Sequence, residues 1–144
     1  MIAVDTNILV YAHRKDSPFH VRAEGIVKEF AESLKPWSIP WPCIHEFFSI
    51  VTHPRIYSPP TPEQKAIDQI SAWLESPSLI LISEAHGYWN VLKDLVDASH
   101  TKGPMIHDAR IAAICILNGI SELFSADRDF GRYHKLKVHN PLVA

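Results

Sequence analysis

The chain has 144 residues, of which 47% are hydrophobic and 21% are charged. These proportions are globular, and they exclude a disordered chain, a collagen-like repeat and a disulfide-stapled miniprotein. Fourteen basic residues against sixteen acidic ones give a net charge of −2, so the chain lacks the strong positive field of non-specific nucleic-acid binders. We expect a single domain over residues 1–144 that must attract any polyanionic partner locally.

Cysteine usage and hydropathy bear on the compartment. Cys43 and Cys115 are far apart in sequence and form no C-x-x-C motif, so neither a disulfide framework nor a cysteine zinc site is indicated. Asp5 comes too early for the apolar core of a signal peptide, and no stretch approaches the roughly 18 apolar residues of a membrane span. We expect a soluble, cytoplasmic protein with no membrane partner.

The N-terminal segment predicts a strand followed by a helix. Residues 2–4 favour a strand, and residues 9–12 either continue it or begin a helix. Ser17 and Pro18 supply an N-cap and a first-turn proline for a helix that should stop before Pro36. The apolar residues predicted to form the buried face of this helix are Val21, Ile26, Val27, Phe30 and Leu34.

The rest of the chain continues to alternate strands and helices. A helix from Pro42 should end before Pro54, a stiff proline loop covers residues 54–62, and Thr61 should cap the next helix. The apolar run at residues 79–82 is typical of a parallel strand covered on both faces. Further helices are predicted over residues 86–101 and 107–117, and further strands over 37–39, 123–125 and 136–138.

This alternation predicts an α/β fold with a mostly parallel sheet. In such a sheet the carboxyl ends of the strands face one crevice, and ligands bind there at the point where the strand order reverses. Residues that directly follow strands are therefore the first candidates for a functional site.

Acidic side chains occupy several of these positions. Asp5 follows the first strand, and Asp127 follows the strand at residues 123–125, with Asp129 two residues later. One aspartate after a strand is usually a turn former or a helix N-cap, so only the coincidence of two strand ends indicates a function. Asp108 begins an apolar helical stripe, although the helix dipole also favours a carboxylate in a first turn.

Glu46 differs from these aspartates. The apolar residues of its helix define a face that points almost the opposite way, so periodicity alone predicts a solvated surface acid. If the acids nevertheless converged, each like-charged contact at about 4 Å would cost on the order of 4 kcal/mol, and protons or cations would have to be shared. A site made of carboxylates suits Mg²⁺ and Mn²⁺, whereas zinc prefers imidazole or thiolate.

Four segments together resemble the PIN domain family, of the VapC toxin type. They are DTNILVYA at residues 5–12, Glu46 ahead of THPR at 52–55, HDARIAA at 107–113 and SADRDF at 125–130. The four stand in the family's order and spacing and cover essentially the whole chain. The resemblance implies a three-layer α/β/α sandwich around a short, mostly parallel central sheet.

The resemblance also implies an activity and its residues. It implies an endoribonuclease that uses Mg²⁺, with Mn²⁺ able to substitute, and that is the toxin of a toxin–antitoxin pair. The positions that match the catalytic, metal-binding acids are Asp5, Glu46, Asp108 and Asp127, with Asp129 as a less constant fifth metal ligand. Asn7 and Ser125 match polar positions beside the metal, and Ser125 stands where threonine is commoner. The implied partners are an RNA substrate, a cognate antitoxin and a second copy of the chain in a homodimer.

Two arginines are candidates for contact with a substrate phosphate. Arg128 lies between two of the acids and is the better candidate, and Arg110 is the second. Ordinary solubilising charge is the competing interpretation for either residue.

Three other functions remain open. A magnesium-dependent phosphatase-like hydrolase also uses an acidic site, but its first strand should end in Asp-x-Asp, where this chain has Asn7. A phosphoacceptor receiver would need a lysine after a late strand, where this chain has Asp127. A non-catalytic PIN-like module that binds RNA or protein would need no metal.

Overall fold

The computed structural model describes residues 1–143, and its helices and strands alternate along the chain. The strands are β1 (Ile2–Val4), β2 (Trp37–Pro40), β3 (Leu79–Ile82), β4 (Glu122–Phe124) and β5 (Val138–His139). The helices are α1 (Thr6–His13), α2 (His20–Glu32), α3 (Trp41–Val51), α4 (Glu63–Leu74), α5 (Tyr88–Ser99) and α6 (Ile106–Leu117). Short 3₁₀ turns cover Gly103–Met105 and Arg128–Arg132.

The sheet has the order β3-β2-β1-β4-β5, and its four pairings are parallel. The chain adds β2 and β3 on one side of β1 and then crosses back to place β4 on the other side. The strand order therefore reverses beside β1, where a crevice opens at the carboxyl ends of β1 and β4. Val4 is in register with Phe124, so Asp5 and Ser125 leave the sheet side by side.

The helices form two groups. Helix α1 contacts α2 and α3, and α3 contacts α4, so these four helices form one group. Helices α5 and α6 pack against each other and form the second group. Parallel crossovers are right-handed, so connections that run in opposite directions along the sheet place their helices on opposite faces. This arrangement is the predicted three-layer α/β/α sandwich, and the fold prediction is confirmed.

The core lies where the sheet meets these helices. Trp37, Phe47 and Phe130 are among its largest fully buried side chains, and each contributes roughly 1.5–3 kcal/mol by leaving water. The stripe that follows Asp108 on α6 is buried as predicted, through Ile111, Ala112 and Cys115. Gly119, with a φ of +68°, adopts the left-handed conformation that terminates α6 at the predicted stop.

The structure corrects one strand prediction. Residues 79–82 form a strand, but β3 is at the edge of the sheet and not in its middle. Ile80 is 47% exposed, so this strand is not covered on both faces. A continuous apolar run shows that a strand is present, but it does not show which neighbours the topology places beside it.

The structure settles one helix prediction and corrects two others. Residues 9–12 belong to α1, which settles the alternative left open by periodicity. Helix α2 begins at His20 and ends at Glu32, and Val21 (85% exposed) and Leu34 (100%) lie outside the buried face. Thr61 does not cap α4, whose N-cap is Pro62; the Thr61 hydroxyl instead contacts the His13 ring.

Candidate active site

Three aspartates meet at the mouth of the crevice, and we call them the acidic trio: Asp108, Asp127 and Asp129. One carboxylate oxygen of each lies within 4.8 Å of the others. Asp108 comes from the first turn of α6, and the other two come from the loop that follows β4. The end of one strand and the start of one helix therefore bring three negative charges together.

Few positive groups offset the trio. The Asp129 carboxylate has one weak ion pair, with the Nη2 of Arg132 at 3.6 Å. Asp127 accepts a hydrogen bond from the backbone N–H of Asp129 at 2.9 Å, so it caps the following 3₁₀ turn while remaining part of the cluster. Burial raises the pKa of Asp108, and the charges of Asp127, Glu46 and Asp129 raise it further against a small lowering by Arg132.

Asp5, which is buried, and Glu46, which is half-buried like Asp108 and Asp127, also line the crevice, and we call them the inner pair. Asp5 is 4% exposed and accepts hydrogen bonds from the Ser125 hydroxyl (2.7 Å), the Asn7 side-chain amide (3.4 Å) and the Cys43 thiol (3.6 Å). Although Asp5 stands at the N-cap of α1, its carboxylate makes no capping hydrogen bond to that helix. The Asp5 carboxylate therefore interacts with groups in the crevice and does not cap the helix.

Burial controls the ionisation of Asp5. It raises the pKa of Asp5 to about 6, while the Ser125 hydrogen bond and the nearby Thr6 amide oppose the rise and the charge of Glu46 adds to it. The carboxylate is a buried anion without a cationic partner among these contacts. Such a group is stabilised by a bound proton or by a bound cation.

The structure places Glu46 in the crevice, against the expectation from periodicity. Glu46 is half-buried, and its Oε2 accepts a hydrogen bond from the Thr6 hydroxyl at 2.7 Å. The first turn of α1 packs against α3 and covers the flank of α3 from which Glu46 projects. Periodicity within one helix does not report a second helix that covers its flank.

Ser125 and Asn7 connect the two groups of acids. The Ser125 hydroxyl donates to Asp5 and accepts from the backbone N–H of Asp127 at 3.0 Å. The Asn7 side-chain oxygen accepts from the backbone N–H of Ala126 at 3.1 Å. These bonds tie the start of α1 to the loop after β4, so the inner pair and the acidic trio are parts of one site.

Comparisons with known proteins decide the family. The model of the family described as "PIN domain" matches residues 2–136. The chain belongs to the PIN domain family. Curated relatives include a VapC ribonuclease of Mycobacterium bovis, 32% identical over 99% of this chain and 96% of its own, and Ribonuclease VapC48 of Mycobacterium tuberculosis, 28% identical over 95% and 94%.

Solved structures share the fold of this PIN domain. VapBC2 from Rickettsia felis, bound to a DNA fragment from its promoter, superposes with a TM-score of 0.70 at 19% identity, over 97% of this chain and 98% of the matched chain. VapC20 of Mycobacterium tuberculosis, a Sarcin-Ricin loop cleaving toxin, gives a TM-score of 0.64 at 16% identity over 91% and 93%. At these identities the likeness shows the fold.

The PIN domain holds its two candidate phosphate contacts differently. Arg128 is exposed and has no ion pair with any of residues 1–143. Arg110 is half-exposed, and its guanidinium forms an ion pair with Glu84. The hydrogen bond from Arg110 also lowers the pKa of Glu84. The structure therefore leaves Arg128 available at the loop of the trio and engages Arg110 elsewhere.

Sequence reasoning missed two side chains of the site. Thr6 contacts Glu46, and Cys43 contacts Asp5. Thr6 directly follows Asp5, and Cys43 lies three residues before Glu46 on one face of α3, so both spacings were visible. Neither spacing shows that the two segments meet.

The donor set of this PIN domain fits a hard divalent cation. Carboxylate oxygens make up the trio, and Asp5 and Glu46 add two more carboxylates behind it. Mg²⁺ and Mn²⁺ prefer such oxygen ligands, and a cation offsets the repulsion that raises the pKa of Asp108.

Within residues 1–143, none of the helices combines the length and apolarity needed to span a bilayer.

Proposed function

We propose that the chain is a VapC-type toxin, a divalent-metal-dependent endoribonuclease that hydrolyses RNA phosphodiester bonds. The convergence of Asp108, Asp127 and Asp129 within 4.8 Å, in a chain 32% identical to a VapC ribonuclease over 99% of its length, carries the proposal. We further propose that residues 1–144 act as a single PIN domain.

In this proposal all five acids bind the metal, and the four other than Asp129 are the catalytic acids. Asp108, Asp127 and Asp129 hold the cation directly, and Asp5 and Glu46 supply ligands from the inner side. Bound Mg²⁺ or Mn²⁺ lowers the pKa of a coordinated water and offsets negative charge at the scissile phosphate. These donors and charges support Mg²⁺ as the resident ion, with Mn²⁺ able to substitute.

The chain's own residues fix the geometry of this reaction. The Ser125 hydroxyl orients the Asp5 carboxylate, and its contact with the Asp127 amide sets the spacing between the inner pair and the trio. Asn7 fastens the loop after β4 through the Ala126 amide. Ligands fixed by these bonds would hold the cation in one place, which would lower the entropic part of the barrier.

The substrate is brought in by local contacts, because the net charge of −2 is unfavourable for RNA. Arg128 projects from the loop of the trio and forms no ion pair within the described residues 1–143, so we propose that it contacts a phosphate near the scissile bond. Arg110 is the weaker candidate, because Glu84 already occupies its guanidinium.

We also propose two protein partners. The matched Rickettsia felis structure is a VapBC assembly, which supports a cognate antitoxin for this chain. A homodimer is the second proposed partner, supported by the exposed apolar side chain of Ile80 on the edge strand β3. Light scattering of the purified chain at several concentrations tests the homodimer.

RNA hydrolysis tests the enzymatic proposal. Labelled single-stranded RNA is incubated with the chain and Mg²⁺ or Mn²⁺, and we expect internal cleavage that excess EDTA abolishes. Asp127→Asn should lose this activity, whereas Asp68→Asn, an exposed acid on α4, should keep it. Cleavage that persists in EDTA contradicts metal dependence, and binding of RNA without cleavage favours the non-catalytic PIN-like module.

Phosphate-monoester hydrolysis separates the other alternative. A phosphatase-like hydrolase would release phosphate from a monoester and trap a phosphoaspartate at Asp5. We expect neither, because the Asp5 carboxylate is buried and already accepts three side-chain hydrogen bonds.

A further inference from the structure

Thr6 makes a side-chain contact that joins two helices at the inner pair. Its hydroxyl donates to Oε2 of Glu46 at 2.7 Å, and the two residues are 40 positions apart in the chain. Thr6 is 5% exposed at the start of α1, whereas Glu46 is half-buried on α3. A buried donor therefore holds a longer and more exposed acid.

A second contact returns in the opposite direction. Cys43, which lies three residues before Glu46 on α3, donates its thiol to Asp5 at 3.6 Å, and Asp5 directly precedes Thr6. Each acid of the inner pair is thus held by a donor from the segment that carries the other acid. The oxygen donor is the stronger of the two, because a thiol is a weak hydrogen-bond donor.

The contact matters because the two acids repel each other. The Thr6–Glu46 and Cys43–Asp5 hydrogen bonds bring the segments that carry the two carboxylates together. Glu46 has three rotatable side-chain bonds and access to water, so without a local donor it lowers its energy by turning outwards. Within residues 1–143, the Thr6 hydroxyl is the one side-chain group that donates a hydrogen bond to the Glu46 carboxylate.

We propose that Thr6 is a positioning residue that holds the Glu46 carboxylate towards the divalent cation. This inference rests on the proposed function, because that function requires Glu46 to bind a cation. Thr6 acts through Glu46 and does not itself contact the cation or the RNA. Outer partners that orient metal ligands typically change metal affinity by about 10–100-fold when they are removed.

Mn²⁺ binding, measured by calorimetry without RNA, tests the proposal. Thr6→Val removes the hydroxyl at nearly constant volume, and we expect its Mn²⁺ affinity to fall by about 10–100-fold. Thr6→Ser restores the hydroxyl and should restore the affinity. Thr52→Val is the matched control, because the Thr52 hydroxyl makes a bond of equal length, 2.7 Å, to the Phe48 carbonyl on the same helix α3, away from the acids.

A double-mutant cycle shows whether Thr6 acts through Glu46. If it does, Thr6→Val should cause no further loss of Mn²⁺ affinity in a chain that already carries Glu46→Ala. Additive losses, or a Thr6→Val chain that binds Mn²⁺ like the wild type, would overturn the positioning role. An affinity loss in Thr6→Val that Thr6→Ser does not restore would overturn it as well.

The same measurements separate this inference from the proposed function. If the wild type binds Mn²⁺ and the cycle behaves as expected but RNA stays intact, the ribonuclease proposal fails and the role of Thr6 stands. If RNA is cleaved with Mn²⁺ while Thr6→Val binds the metal normally, the ribonuclease proposal stands and the role of Thr6 fails.

Discussion

Asp5 in the inner pair is 4% exposed and accepts three side-chain hydrogen bonds, whereas Asp129 in the acidic trio is exposed and has one ion pair at 3.6 Å. The inner half of the crevice is therefore fixed by the fold before any ligand arrives. The outer half remains open to solvent, so a cation and a phosphate can enter and leave there. One site therefore combines ligands that the fold holds rigidly with an open side through which a cation and a phosphate can exchange.

Both halves are destabilising when no cation is present, because burial disfavours the charge of an acid in each half. In the inner pair, burial disfavours the charge on Asp5. In the trio, Asp108 also experiences the neighbouring carboxylates. The substitutions below separate the two halves by their effects on catalysis, on stability and on RNA binding.

The largest effect is expected in the trio. Asp108→Asn removes a carboxylate that three other acids surround, and we expect RNA hydrolysis to fall by more than about 100-fold, beyond the loss typical of an outer partner. The free energy of unfolding should stay the same or rise slightly, because a repulsion is relieved. Cleavage rates and thermal unfolding of the same preparation check both expectations. A variant with near-wild-type cleavage would remove Asp108 from the site.

Asp5→Asn should show the energetic cost of the inner half. The folded-state pKa of Asp5, about 6, lies above its ordinary value of 3.8, so the native state binds the proton more tightly than the unfolded state does. The cost is therefore absent below pH 3.8, grows as the pH rises and is complete above about pH 6. At 1.36 kcal/mol per pKa unit, removing the charge should raise the free energy of unfolding by about 1–3 kcal/mol.

Unfolding of the metal-free chain against pH measures this effect. We expect the advantage of Asp5→Asn to be largest near neutral pH and to shrink as the pH falls towards 4, while RNA hydrolysis is lost at every pH. A stability difference that does not change with pH would show that the gain does not come from the Asp5 charge.

Ser125→Ala tests the connection between the halves. It removes the donor to Asp5 and the acceptor for the Asp127 amide in one step, so we expect Mn²⁺ affinity to fall by about 10-fold. Ser125→Thr keeps the hydroxyl and should bind Mn²⁺ nearly as the wild type does. Equal losses in the two variants would indicate a packing effect and not the hydrogen bonds.

The smallest effect concerns the arginines. Arg128→Ala should weaken RNA binding a few-fold, and the slope of log affinity against log salt should fall by about 0.7, as expected for one lost phosphate contact to a single strand. Arg110→Ala is the matched comparison, because its guanidinium already pairs with Glu84, and it should change the slope less. If Arg110→Ala changed the slope more than Arg128→Ala did, Arg110 would be the better candidate for the phosphate contact.

Local signals were enough for much of this molecule. The alternation of strands and helices predicted the α/β fold, and the strand ends predicted where Asp5 and Asp127 would lie, because parallel strands bring their carboxyl ends to one edge. The buried stripe after Asp108 followed from helical periodicity. At Thr61, and at Val21 and Leu34 of the predicted face of α2, the predictions were wrong, since neighbouring segments decide burial and capping there.

The sequence by itself determined the order of elements, the positions of the acids along them and the resemblance to the PIN family, because these depend on neighbours in the chain. Only the tertiary structure decided that β3 lies at an edge, that Glu46 turns into the crevice and that Thr6 and Cys43 hold the inner pair. Those contacts join segments about 40 residues apart, and periodicity within one element carries no information about what another element places against it.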